Sequence, residues 1–353
     1  MGGNESAKKS KWGDRIKLLV GVAVSVGCLV LLFWNIQWDQ FWAALQKADY
    51  WWLIPCVATV AVSVWFKVLK WHMLLLPTGN LSKTNLFYAI NVGYLISTVL
   101  PGRLGELGRA YMVARMEKVS PVAVLSTVAL DRVLDVVAMA LLLAVVLPTT
   151  NLPPWVGQSG LLIGAGGVAV LAVCMALAYP AGRELFLRIL RSLPNFPGKP
   201  LTEKWAGALC DGMAGLRGAG AVARVASATF AIWFTTIFTA YFAQMAFHIP
   251  APIWAAALVV AITNLGMAVP STPGYFGVQE YLAVLALSAF GVDKEPALGF
   301  AMVYHLAWLV PVNLVGIFAL WRCGLSLMGW QKLEAEEQPG LAPVAGGDPG
   351  RMT

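Results

Sequence analysis

Long apolar runs dominate the chain, near residues 17–36, 50–70, 121–147, 159–180, 224–248 and 298–321. A helix needs about 20 such residues to cross a bilayer, so each run is expected to be one full crossing. Two further apolar stretches, 84–100 and 252–269, are interrupted, and they are interrupted alike. The first contains Asn91-Val-Gly-Tyr94 and runs into Pro101-Gly102-Arg-Leu-Gly105-Glu106; the second contains Asn264-Leu-Gly-Met267 and runs through Pro270 into Pro273-Gly274-Tyr-Phe-Gly277 and Glu280. Proline removes a backbone donor and glycine weakens a helix, so a break of this kind facing lipid would leave polar groups unsatisfied. The breaks at Asn91, Pro101, Gly102 and Gly105, and at Asn264, Pro270, Pro273, Gly274 and Gly277, must therefore sit inside protein or against a watery cavity. The runs are continuous rather than alternating, which argues against a β-barrel.

Charge orients the crossings. Lys8, Lys9, Lys11, Arg15 and Lys17 place the N-terminus in the cytoplasm, and two crossings later Lys67, Lys70 and Lys83 read as cytoplasmic again. Arg109, Arg115 and Lys118 follow the first broken stretch. With positive charge on both sides, 84–100 is expected to dip in and return. The uncharged 148–158 loop fits the outside, the basic 181–223 segment the inside, and the second break is expected to enter from the outer face. Arg322 and Lys332 return the C-terminus to the cytoplasm, leaving only Lys47 and Lys294 outside and Arg132 within the membrane. Three crossings separate the breaks, so the halves are expected to be inverted, as in alternating-access transporters. The expected fold is an all-α polytopic membrane protein of about six transmembrane helices plus two re-entrant hairpins.

Smaller features complete this organisation. Residues 1–16 read as a basic cytoplasmic N-terminus, 17–325 as the transmembrane domain and 326–353 as a disordered cytoplasmic tail. No small-residue cleavage site follows the first run, so it reads as a retained span rather than a signal peptide. Phe186, Leu187, Leu190 and Leu193 interleave with Arg183, Arg188 and Arg191, which predicts that 181–223 is an amphipathic connector on the inner leaflet. Trp51, Trp52 and Trp330 are expected interface anchors.

Composition agrees with a membrane protein: 59% of residues are hydrophobic and 12% charged, against roughly a quarter charged in soluble proteins, and the mean hydropathy is +0.70. The net charge of +7 gathers at membrane-facing loops, which points to anionic lipid headgroups rather than nucleic acid. Cys28, Cys56, Cys174, Cys210 and Cys323 show no paired spacing, and His72, His248 and His305 form no ligand motif; no metal or cofactor is expected. Neither a catalytic Ser/His/Asp ordering nor a phosphate-binding loop is evident, so the chain reads as a non-enzyme, and ATP-driven transport would need another subunit.

The sharpest chemical anomaly is Asp131-Arg132 with Asp135, about ten residues into the 121–147 crossing. One charge at mid-bilayer costs at least about 2.5–3.5 kcal/mol on insertion scales, so three together require pairing or water. They read either as a structural ion pair or as the polar lining of a headgroup pathway. The first break adds Arg103, Glu106 and Arg109, guanidiniums suited to bidentate phosphate binding; the bland reading is a turn meeting anionic lipid. The second break offers hydroxyls and Glu280 but no cation, and Glu280 reads as a substrate contact or as a cap. His305 reads as a packing residue or a titrating gate. Asn91 and Asn264 read as fasteners of the breaks.

Three phrases, Leu100-Pro-Gly-Arg-Leu-Gly-Glu106, Asp131-Arg132-x-x-Asp135 and Pro270-x-x-Pro-Gly-x-x-Gly-x-x-Glu280, in this order, resemble the lysylphosphatidylglycerol synthase transmembrane-region family over roughly residues 15–325. That family includes the flippase half of the multiple peptide resistance factor and stand-alone members linked to lipid-linked sugars or hopanoids. The resemblance implies translocation of an amphipathic lipid: a phospholipid, aminoacyl lipid, polyprenyl-linked sugar or hopanoid. Arg103, Glu106, Arg109, Asp131, Arg132, Asp135 and Glu280 match its polar positions. Asp131 stands where Glu is common, and His305 where many members carry Arg, which leaves the lipid open. The stretch outside the membrane is too short for an aminoacyl-transferase domain, so lipid aminoacylation is not expected of this chain. The competing reading is a non-transporting accessory subunit of lipid- or glycan-synthesis enzymes, and a weaker one a transferase using Asp131 or Glu280 as base. The family likeness suggests a prokaryotic cytoplasmic membrane.

Overall fold

The computed structural model describes residues 20–100, 104–150, 154–192, 194, 199–267 and 272–323. Pro101, Gly102, Arg103, Pro270, Trp330, the basic N-terminus and the tail lie outside the described residues. An antiparallel helix pair organises the rest. Along α3 (Leu53–Leu75) and α10 (Ala219–Ala246), Cys56 Sγ donates to the Thr239 carbonyl (3.4 Å), the Thr59 and Thr239 hydroxyls meet at 2.9 Å, and Ser63 meets Thr236 at 3.2 Å. One turn further, Lys67 Nζ lies 6.0 Å from the Trp233 ring. Partners descend α10 as they ascend α3. Small and hydroxyl-bearing residues let membrane helices approach this closely and bond across the seam.

Each of these helices opens an equivalent unit. After α3 come α4 (Lys83–Val99), the first break, α5 (Leu104–Glu117) and α6 (Pro121–Val146); after α10 come α11 (Ile253–Gly266), the second break, α12 (Val278–Ser288) and α13 (Lys294–Arg322). The packing repeats as well: α4 lies against α5 and α13, while α11 lies against α12 and α6. Even the asparagines behave alike, Asn91 Nδ2 donating to the Phe87 carbonyl and Asn264 Nδ2 to the Val260 carbonyl, both at 2.8 Å. Because the equivalent helices α3 and α10 run antiparallel, the repeat is inverted.

Both interrupted stretches return to the side they enter. Glu117, ending α5, accepts from Ser82 N (3.2 Å) and Asn85 Nδ2 (2.7 Å) at the start of α4. At 17 and 14 residues, α4 and α5 span about 26 and 21 Å at 1.5 Å per residue, short of a ~30 Å hydrocarbon core. Ile249 and Ala251 before α11 share one apolar cluster with Phe290 and Val292 after α12. The legs of the first hairpin touch through backbone: a Cβ on Gly105 would run into the Gly93 carbonyl oxygen and Ser97 Oγ. Gly105→Ala is expected to destabilise the fold by about 1–3 kcal/mol through overpacking, seen as a lower melting temperature in detergent. Gly27→Ala, whose Cβ would meet nothing within 4 Å, should leave it unchanged.

Among the described residues there are thirteen helices and no strand, and the protein is an all-α polytopic membrane protein. Three helical stretches are long and apolar enough to cross alone: Tyr50–Thr78, Ala219–Ala246 and Lys294–Arg322. Two bent pairs raise the number to five, and the 26-residue α6, with its three internal charges, is the sixth long helix of the expected scheme. The bends fall at the ends of the runs expected to cross at 17–36 and 159–180. α1 (Val20–Phe33) meets α2 (Trp38–Lys47) at 90° and α7 (Pro154–Ala178) meets α8 (Pro180–Ser192) at 95°. Asn35 takes a left-handed conformation (φ 56°) at the first, and Pro180 cannot continue the helix at the second. The 181–223 connector is likewise more than one amphipathic element. α8 buries Leu187, but α9 (Lys199–Met213) packs on α6, and α10 begins at Ala219 rather than at 224.

The outer surface is apolar, as a lipid-facing surface must be. Phe230 and Phe234 on α10, and Leu314, Ile317, Phe318 and Trp321 on α13, are all exposed. So are Trp51 and Trp52 at the start of α3.

Candidate functional site

α6 places Asp131 and Asp135 one turn apart on a single face, with Arg132 beside them. The structure brings that face against the first break and against α3. Asp131 Oδ2 accepts from Arg109 Nη2 at 3.0 Å and Arg132 Nη2 at 3.2 Å. Asp135 Oδ2 lies 3.3 Å from Arg132 Nη2, and Arg132 Nε lies 3.5 Å from Glu106 Oε1. The expected residues Glu106, Arg109, Asp131, Arg132 and Asp135 thus form one network.

A sixth member was not expected. Lys70 Nζ donates to Asp135 Oδ1 at 2.7 Å and lies 2.6 Å from Asp131 Oδ1, an ion pair off the ideal hydrogen-bond angle. The charge-based topology put Lys67 and Lys70 on the cytoplasmic side after the second crossing; both are on α3, and Lys70 is 1% exposed. Its neighbours could have signalled this, since Val68, Leu69, Trp71 and the run Met73-Leu-Leu-Leu76 keep the segment apolar past residue 70. Trp71 belongs to the site too. Its ring stacks under the Arg109 guanidinium (4.8 Å) and its Nε1 donates to Thr127 Oγ1 (3.0 Å).

Three cations thus face three carboxylates, a neutral set that can be buried without net charge. Burial is graded. The side chains of Lys70, Asp131 and Arg109 are 2%, 6% and 8% exposed, those of Arg132 and Glu106 38% and 31%. The inner members are locked, and the outer pair, joined by the longest contact, is open to exchange partners. Arg109 Nε has no hydrogen-bond partner among the described residues, so the guanidinium keeps a spare donor. Such an arrangement can bind a phosphate by trading a carboxylate for it at little electrostatic cost.

Glu280 does not join this network. It sits in the first turn of α12, where Oε2 accepts from Gly277 N at 2.7 Å and Oε1 meets His305 Nδ1 of α13 at 2.5 Å. It therefore caps its helix and ties the second break to the last crossing, and both groups are buried. The break turns through the left-handed region: Gly274, Tyr275 and Gly277 have φ of 72°, 60° and 85°, which the glycines adopt freely and which is an unusual conformation for Tyr275. Ser25 Oγ of α1 closes the break from outside, accepting from Thr272 N at 3.0 Å. Asn91 and Asn264 each donate to the carbonyl four residues back in their own helix. Among the described residues no group of three His, Cys, Asp or Glu side chains is placed to hold a metal.

Comparison with known proteins places this geometry. Glycosyltransferase AglD of Haloferax volcanii is 23% identical over 324 residues, 82% of this chain and 52% of that protein; the chain thus spans about half the length of this curated relative. The sequence profile of the lysylphosphatidylglycerol synthase TM region matches residues 18–316. The interrupted hairpins and the acid–base cluster both fall within that match, and the chain belongs to the lysylphosphatidylglycerol synthase TM region family.

Proposed function

We propose that the protein is a lipid flippase or transporter that carries the headgroup of an amphipathic, phosphate-bearing lipid through a polar groove between the inverted halves, while its chains stay in the bilayer. The observation that supports this most is the graded cluster. A purely structural ion pair gains nothing from leaving Arg132 and Glu106 half open beside a broken helix, whereas a headgroup site needs such an edge. Arg103, beside the same break, would add a further cation. On this reading the membrane is the cytoplasmic one, both termini face the cytoplasm, anionic lipids are the partners, and the chain itself performs no chemistry.

The name of the Haloferax relative supports a second reading, an accessory membrane subunit of a lipid- or glycan-synthesis system, with the cluster purely structural. Reconstitution in proteoliposomes separates the two. Labelled phospholipid, aminoacyl lipid and polyprenyl phosphate would be offered in turn to wild type and Arg103→Ala at equal insertion. The transporter reading expects one class to move, and to move at least about tenfold more slowly in the variant, the effect of losing about 1.4 kcal/mol of phosphate binding. A well-inserted wild type that moves none of them favours the accessory role.

A further inference from the structure

The two halves place a basic side chain at the same point. The sequence offset that relates Asn91 to Asn264, and the residue before α6, Ser120, to the residue before α13, Asp293, also relates Arg132 to His305. Each meets the carboxylate presented by its own half's break. Arg132 Nε lies 3.5 Å from Glu106 Oε1 and His305 Nδ1 2.5 Å from Glu280 Oε1. The pairs are alike in position and unlike in chemistry. A guanidinium stays charged at every physiological pH, whereas an imidazole takes up and releases a proton in that range.

His305 is enclosed. Its ring is 1% exposed, and Nε2 has no hydrogen-bond partner among the described residues. With Nδ1–H donating to Glu280 in either charge state, the proton that comes and goes is the one on Nε2, and its transfer breaks no bond within the protein. The elements around α13 bring few other charges. α12 presents Glu280, and the break presents the Phe276 ring, 4.9 Å away. α4 presents Tyr94, packed on Trp308 one turn on, with Lys67 of α3 donating to its hydroxyl at 2.8 Å. α10 has no Asp, Glu, Lys or His, its one cation being Arg224 in the first turns. α2, which carries Asp39 and Lys47, meets α13 near Leu298, two turns before His305.

We propose that Glu280 and His305 form a proton-binding site that couples lipid movement to a proton. This rests on the transporter reading above. With the imidazole charged, the pair is a closed ion pair that pins the N-terminus of α12, through Glu280 and Gly277, to the last crossing. Release of the Nε2 proton removes the Coulombic attraction while Glu280 stays ionised, so the tie is weakened from an ion pair to a hydrogen bond and the Gly274–Gly277 segment is held less firmly. Uptake of a proton restores the ion pair.

Two measurements on the intact protein test this. Hydrogen–deuterium exchange at the imidazole C2 position, read by mass spectrometry in nanodiscs, follows His72, His248 and His305 separately and needs no lipid transport. The C2 exchange rate of His305 is expected to change with pH, and to follow a different pH profile in Glu280→Gln. In proteoliposomes, an imposed pH gradient is expected to drive wild-type accumulation of whichever labelled lipid moves, up to about tenfold per pH unit for one proton per lipid. His305→Arg, permanently charged, is expected to lose the response to the gradient. A His305 that does not titrate overturns the proposal even if the variant fails to fold. Lipid that moves indifferently to the gradient overturns the coupling and leaves translocation standing, whereas lipid that moves under no condition overturns translocation and coupling together.

Discussion

Lys70→Ala is expected to destabilise the protein by about 3–5 kcal/mol, the usual consequence of stranding a buried charge. Lys70 is 1% exposed and reaches both Asp131 and Asp135 at 2.6–2.7 Å. Its removal leaves three carboxylates against two arginines, one of them turned partly outward, so about one negative charge is uncompensated inside the membrane domain. The protein has few ways to relieve this. It can protonate an aspartate, admit water beside α3, or lose the packing of α3 against α6. Each appears as a lower melting temperature in detergent and a smaller inserted fraction. The neutral double variant Lys70→Met with Asp135→Asn should recover most of the loss, because it removes both members of a pair together. If Lys70→Ala melted with wild type, the cluster would have to be hydrated and its burial irrelevant to stability.

What could be read from the sequence divides along a physical line. The hairpins were legible because the Pro-Gly breaks are local and have a single tolerable environment in a membrane, although the Asn-x-Gly phrases beside them lie within α4 and α11. The charges of α6 were legible because a polar residue in an apolar run stands out alone. Lys70 was not, because its meaning lies in partners more than 60 positions away, and loop-charge reasoning gave it a ready role beside Lys67 and Lys83. The bends at Asn35 and Pro180 were hidden for a different reason. A hydropathy run records that residues are apolar and says nothing of the axis along which they lie. The equivalence of Arg132 and His305 was available in the spacing but masked by the second break's lack of a cation: its partner arrives from the next helix. Glu280 likewise offered two readings, cap or contact. The structure shows the capping bond and adds a bond to His305, so the cap also serves as a tie between elements.

Arg132→Gln is expected to separate transport from stability, which no change at Lys70 or Asp131 can do. Arg132 touches Glu106, Asp131 and Asp135, yet its side chain remains 38% exposed. Asp131 and Asp135 keep Lys70, and Asp131 keeps Arg109, so no carboxylate in the buried part is left without a cation. At such exposure solvent screens the lost pairs, and the stability change should be under about 1 kcal/mol. The effect on lipid movement should be far larger. On the proposed transporter reading, a headgroup phosphate entering at the open edge would meet Arg132 first and displace Glu106, the most distant of its three partners at 3.5 Å. Losing a bidentate guanidinium at that step should slow translocation by tenfold or more, at about 1.4 kcal/mol per factor of ten. Glu106→Gln makes the opposite prediction for binding. With its competitor neutral, Arg132 should hold anionic lipid several-fold more tightly, and release rather than capture should limit turnover. Lipid co-purification, quantified by mass spectrometry beside transport rates, reads both effects. If Glu106→Gln bound less lipid than wild type, Glu106 would be a contact for the cargo itself, and the cargo would have to present a donor such as an amine or a sugar hydroxyl.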